Sequence, residues 1–145
     1  MKKLLLFGFA TVLVFTACKK KTEEVVPVVP VKTTTEKIQA VWKVTSLVYN
    51  DFYSNANHPF TQTGIATDYV DFRTNGKVYV QFGNPSSASS RDTSSYTIVN
   101  DNTIKIDTDN FEIKTLTANQ LVLYNKTINS TTPLEYDEST FNLNK

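Results

Sequence analysis

The sequence predicts an all-β domain: an eight-stranded antiparallel up-and-down barrel, preceded by a secretory leader and an extended tether. Three observations carry that prediction. Apolar and polar residues alternate with period two over most of the chain after Val41. The alternating runs are short, and their links are rich in Asn, Asp and Gly, which bond their own backbone and tolerate left-handed geometry. The chain has 145 residues, 40% of them apolar and 20% charged, which suits one domain with a real core and leaves little room for a second.

The leader comes first. Lys2-Lys3 forms a basic start, and Leu4 to Ala17 is an uncharged run of 14 residues. A bilayer-spanning helix needs about 20 apolar residues, so this run fits a signal peptide over residues 1–17. It ends Phe15-Thr16-Ala17-Cys18, placing small residues directly before the only cysteine of the chain. This resembles the lipobox of bacterial lipoproteins, with Phe15 standing where an aliphatic residue is usual. The resemblance implies cleavage before Cys18 and acylation of its thiol. A free exposed thiol in an oxidising compartment is a liability, whereas a lipid-capped one is inert. Acylation anchors the chain to a membrane, since each buried lipid CH₂ contributes about 0.8 kcal/mol. Lys19 stands where Asp commonly signals inner-membrane retention in such lipoproteins, so the expected location is the outer membrane, facing the periplasm or the cell surface.

Residues 18–35 read as a tether. Val-Val-Pro-Val-Val-Pro-Val and Thr33-Thr34-Thr35 contain no Gly, and prolines among β-branched residues favour extended polyproline II. At ~3.1 Å per residue such a segment reaches roughly 50 Å.

The domain spans residues 36–145. Glu36 to Val41 is expected to make one helical turn. Eight strands follow: Trp42–Asn50, Thr67–Arg73, Lys77–Gly83, Thr93–Asn100, Asn102–Asp107, Asn110–Leu116, Gln120–Thr127 and Leu134–Asn142. The tight links between them imply antiparallel neighbours, and eight such strands in sequence point to an up-and-down barrel, with a split sandwich as the competing arrangement. Register follows from Asn75-Gly76. A type I turn with Gly76 left-handed, leaving a bulge, pairs Phe72 with Val78 and Val70 with Val80, which puts all the aliphatics on one face. That phase gives the candidate pocket wall: Trp42, Val44, Phe72, Val78, Val80, Phe82, Tyr96, Ile98 and Phe111. Val48 falls on the same inner phase, and Tyr49, Tyr69, Tyr79 and Tyr124 fall outside. The segments Asp51–Ala66 and Asn84–Asp92 read as long links shaping a mouth, with Phe52, Tyr53 and Phe60 as its lid.

Several segments resemble a known family. Trp42-Lys43-Val44, Asp71-Phe72-Arg73-Thr74-Asn75-Gly76-Lys77-Val78-Tyr79, Tyr96-Thr97-Ile98 and Lys114-Thr115-Leu116-Thr117-Ala118-Asn119-Gln120-Leu121-Val122-Leu123 are similar to the lipocalin-like domain of small bacterial lipoproteins. The resemblance runs from about Ile38 to the C-terminus, with Ala40 where true lipocalins carry Gly. It implies a β-barrel closed at one end and, in some members, an apolar pocket.

Several function classes are disfavoured. From Glu36 onward nine basic residues face twelve acidic ones, a net charge of −3, which argues against nucleic acid as a partner. His58 is the only imidazole and has no motif Ser or Cys beside it; Ser86-Ser87-Ala88-Ser89-Ser90 lacks a nucleophile elbow. Asp107, Asp109 and Glu112 lack the glycine and terminal Glu of a calcium loop. The expectation is therefore no enzyme, no metal and no cofactor. Two functions stay open at this point: a lipid-anchored barrel taking a small apolar ligand, or a filled barrel acting as a structural or protein-interaction module of the cell envelope.

Overall fold

The computed structural model describes residues 31–145 except Pro85, Ala88, Ser89, Ser130 and Pro133. The leader, Cys18 and most of the tether lie outside the described residues. Val31–Lys145 forms one compact unit whose buried core runs from Ile38 to Leu143, so the domain carries its own core.

A short helix, α1 (Thr34–Ile38), opens the domain under a capping box. The Thr33 hydroxyl accepts from the Glu36 N–H at 3.2 Å, and the Glu36 carboxylate accepts from the Thr33 N–H at 2.7 Å. The helix thus starts two residues earlier than the sequence suggests, because Thr33 supplies the cap. Its last residue, Ile38, is fully buried, and the Ile38 carbonyl accepts the Trp42 indole N–H at 2.8 Å.

Nine strands follow: β1 (Val41–Tyr53), β2 (Ala56–Thr63), β3 (Tyr69–Phe72), β4 (Lys77–Gln81), β5 (Arg91–Asn100), β6 (Thr103–Ile106), β7 (Asp109–Leu116), β8 (Gln120–Ile128) and β9 (Tyr136–Asn144). All pairings are antiparallel. β3 through β9 pair in sequence order, β1 bridges β3 and β9, and the eight strands close a barrel. The expected register of the second hairpin holds: Phe72 faces Val78, Val70 faces Val80, and Gly76 has φ of 73°.

β2 is the ninth strand, and it occupies what the sequence reads as a link. Tyr53 pairs with Ala56 across Ser54 and Asn55, whose φ values of 53° and 59° make a type I′ turn. Closing pairs of such turns are hydrogen-bonded, and the pairs then alternate, so Pro59, opposite Asn50, falls at a non-hydrogen-bonded position. Its missing N–H therefore lies on the free edge of β2, where a sheet tolerates proline.

A bulge in β1 makes this arrangement fit. Val44 pairs with Leu143 and Ser46 with Asn142, leaving Thr45 as the extra residue. The bulge corrects the expected phase: Leu47, not Val48, turns inward at 2% exposure, and Tyr49 joins the inner face. At the same place β1 changes partner along one edge, from β3 at Val41–Lys43 to β2 at Ser46–Tyr53. The chain leaving β2 crosses flush against β1. The Gly64 N–H donates to the Thr45 carbonyl at 3.0 Å, and the Val44 N–H donates to the Asp68 carbonyl at 3.2 Å. Buried Asp68 locks the crossing, its carboxylate accepting from the Ile65 and Gly83 N–H groups at 2.9 Å each.

A Cβ on Gly64 would run into the Val44 carbonyl, a backbone group that cannot swing aside. Gly64→Ala is therefore expected to cost roughly 2–4 kcal/mol of stability by forcing the crossing away from the bulge, to be checked by urea unfolding.

Candidate ligand site

The two ends of the barrel differ. At the α1 end, Ile38 and Trp42 are fully buried. Tyr96 stands edge-on to Phe72 at 5.2 Å and donates its hydroxyl to the Arg73 carbonyl at 2.7 Å. The Lys145 ammonium lies 4.3 Å from the centre of the Trp42 ring. Large side chains therefore plug this end. Away from this plug a cavity of about 230 Å³ opens. Its wall is apolar: Val70, Phe72, Val78, Val80, Ile106, Phe111, Leu123, Phe141 and Leu143, with Asp92 and Ser94 as the polar members. Phe111 and Phe141 meet edge-on at 5.9 Å across it.

The inner face of the wall continues past the cavity onto the β1–β2 hairpin. In register, Phe141 pairs with Leu47 and Leu47 with Gln62; two residues further out, Ser139 pairs with Tyr49 and Tyr49 with Phe60. The next row is Asp137, Asp51 and His58, and the Tyr53 ring stacks on His58 at 3.8 Å. Tyr49, Tyr53 and Phe60 are all exposed. An aromatic shelf thus adjoins an apolar cavity.

A family model described as a lipocalin-like domain matches residues 38–123. The chain belongs to the lipocalin-like domain family. Neither a curated protein nor a solved structure matches it. The match runs from the end of α1 into β8, and β9 lies beyond it, completing the wall of this lipocalin-like barrel.

Four of the nine residues expected in the pocket line the cavity: Phe72, Val78, Val80 and Phe111. The other five do not. Trp42, Val44 and Tyr96 are buried in the core, and Phe82 and Ile98 are partly buried against it. Their inward phase was legible, but position along the barrel axis decides between plug and wall. Asp92 and Ser94 went unrecognised as wall residues because they are polar, although alternation from Tyr96 and Ile98 carries the inner phase back to them. Phe141 and Leu143 alternate with Asn142 and Asn144, but Leu143 falls beyond the expected end of the last strand at Asn142. The expected lid divides as well. Tyr53 and Phe60 lie on the cavity side of the hairpin, but Phe52 is on the other side, stacked on Tyr136 at 5.0 Å. Among the described residues, no three His, Cys, Asp or Glu side chains converge as a metal site.

On the outer side the hairpin is tied to the barrel through Glu138. It accepts from the Tyr124 hydroxyl at 2.7 Å, from Lys126 at 3.2 Å and from the Asn50 amide at 3.3 Å. The Tyr124 bond, with Asn50 and Lys126 beside it, outweighs burial and holds the Glu138 carboxyl below its ordinary range. Burial, reinforced by Glu138, pushes the Tyr124 phenol up to about 12. The Glu138 contribution to stability is present above the ordinary carboxylate pKa and is lost as pH falls through its lowered value. The Tyr124 contribution is full below pH 10 and is lost as pH rises toward 12. Ultraviolet titration is expected to show Tyr124 deprotonating late, and Glu138→Gln is expected to return it toward 10.

Proposed function

We propose that the protein is a lipid-anchored envelope lipoprotein whose barrel binds a small apolar ligand. The single observation that carries the binding half is the cavity of about 230 Å³ with its almost wholly apolar wall. An apolar void of ~150 Å³ already admits benzene, and drug-sized ligands use upwards of about 300 Å³. The fitting ligand is thus a small aromatic molecule or a short acyl chain rather than a whole lipid. The domain is read as a binder and not an enzyme, and it is read as needing no cofactor. Its partner is the membrane, reached through acylated Cys18; the motif around Cys18 and the run Leu4–Ala17 support placement in the outer membrane. The alternative is a barrel that takes no ligand and serves as an interaction module.

Octan-1-ol, added to the domain Val31–Lys145, is expected to bind saturably by calorimetry. Val80→Phe, which fills the wall, is expected to abolish that binding while leaving Trp42 fluorescence native. If no alcohol from butanol to decanol binds the wild-type domain, the interaction module stands instead. The anchor has its own check. A clickable palmitate analogue fed to a bacterial host is expected to label the full chain, and Cys18→Ser to remove the label. An unlabelled wild-type chain would leave an ordinary secretory leader.

A further inference from the structure

Resting on the ligand site proposed above, we infer that its ligand is a cationic amphiphile, with an apolar body in the cavity and an ammonium group at the open end. The cavity is the site; the charges around it choose the headgroup.

Charge is segregated by face. All six Lys and Arg residues in the described strands, Lys43, Lys77, Arg91, Lys105, Lys114 and Lys126, fall on the outer phase. The inner phase at the open end carries acids and no Lys or Arg, with the His58 imidazole opposite Asp51 in the outermost row. Asp92 lines the cavity and pairs across the sheet with Val80. Asp109 pairs with Ile106, itself a wall residue. Further out, Asp137 pairs with Asp51. No ion pair among the described residues engages Asp51, Asp109 or Asp137.

The aromatic shelf points the same way by a separate route. Tyr49 and Phe60 present exposed rings between the cavity and the outer acids, Tyr53 presents one beyond them at the hairpin tip, and ring faces attract cations. A fatty acid would seat its apolar chain equally well, but on the inner phase of the described strands its carboxylate would meet acids and no Lys or Arg, a repulsion that discriminates between heads. An alkylammonium meets carboxylates and π faces together. Salt screens these exposed charges, so the preference must weaken at high ionic strength.

The test compares three heads on one tail: octyltrimethylammonium, octan-1-ol and octanoate, titrated below micelle formation into Val31–Lys145 with Trp42 fluorescence as the fold check. The ammonium is expected to bind at least about tenfold tighter than octanoate. The double change Asp92→Asn with Asp109→Asn, or high salt, is expected to close that gap while leaving octan-1-ol affinity unchanged. Octanoate binding as tightly as the ammonium, with octan-1-ol still bound, would overturn the headgroup inference and leave the cavity reading intact. A double variant that weakens all three heads alike would also overturn it, because the acids would then act only on structure. Failure of all three to bind would remove the pocket itself.

Discussion

A single extra residue, Thr45, sets the terms on which the rest of the wall is built. β1 is too long to stay within one small barrel, and its alternation would drive Tyr49 and Asp51 outward if it ran without interruption. The bulge shifts the phase by one, turning Leu47 into the core and aligning Tyr49 and Asp51 with the inner face of β9. It also marks the point at which β3 gives way to β2 on the same edge. That handover requires two backbones in contact, which is why the position after β2 is Gly64 and why Asp68 spends its carboxylate on backbone N–H groups. The barrel and its projecting hairpin are consequences of one local irregularity secured by hydrogen bonds.

Along the barrel axis the molecule divides its aromatic residues between two tasks. At the α1 end Trp42 and Tyr96 point polar atoms at backbone carbonyls and rings at the core, so they close the barrel and satisfy their own donors. At the other end Phe111 and Phe141 have no polar atom to place; they meet edge-on and face the cavity together. The strands of the wall are short, β3 and β6 having four residues each, so one layer of large side chains is enough to plug one end of the interior. What remains holds a small guest.

Much of this was legible in the sequence, and the reasons for the rest are physical. Period-two alternation located eight strands, and Gly76 set the register of β3 with β4, because a turn and a buried face admit only one consistent pairing. Alternation cannot see a bulge, so Val48 and Tyr49 changed places. The β2 segment reads as part of a long link; it holds Pro59, and a sheet tolerates that proline here only because β2 has a free edge. Of the pocket, the inner phase was readable and the depth was not. Depth depends on how far each strand has travelled from α1, a quantity that emerges only when the stagger between strands is known. The acids on the inner phase were hidden by the expectation that an inner face is apolar.

The proline at the rim has a meaning for how many copies can live side by side. A fully extended strand with both faces exposed and one edge unpaired is the surface on which identical barrels would zip into an open-ended ladder. Midway along that edge Pro59 removes a donor and fills its place with a ring, so a second β2 cannot run past it in continuous register. The hairpin is left free to present its inner face to solvent while its edge stays inert. A crowd of these molecules can therefore keep their mouths open without knitting together.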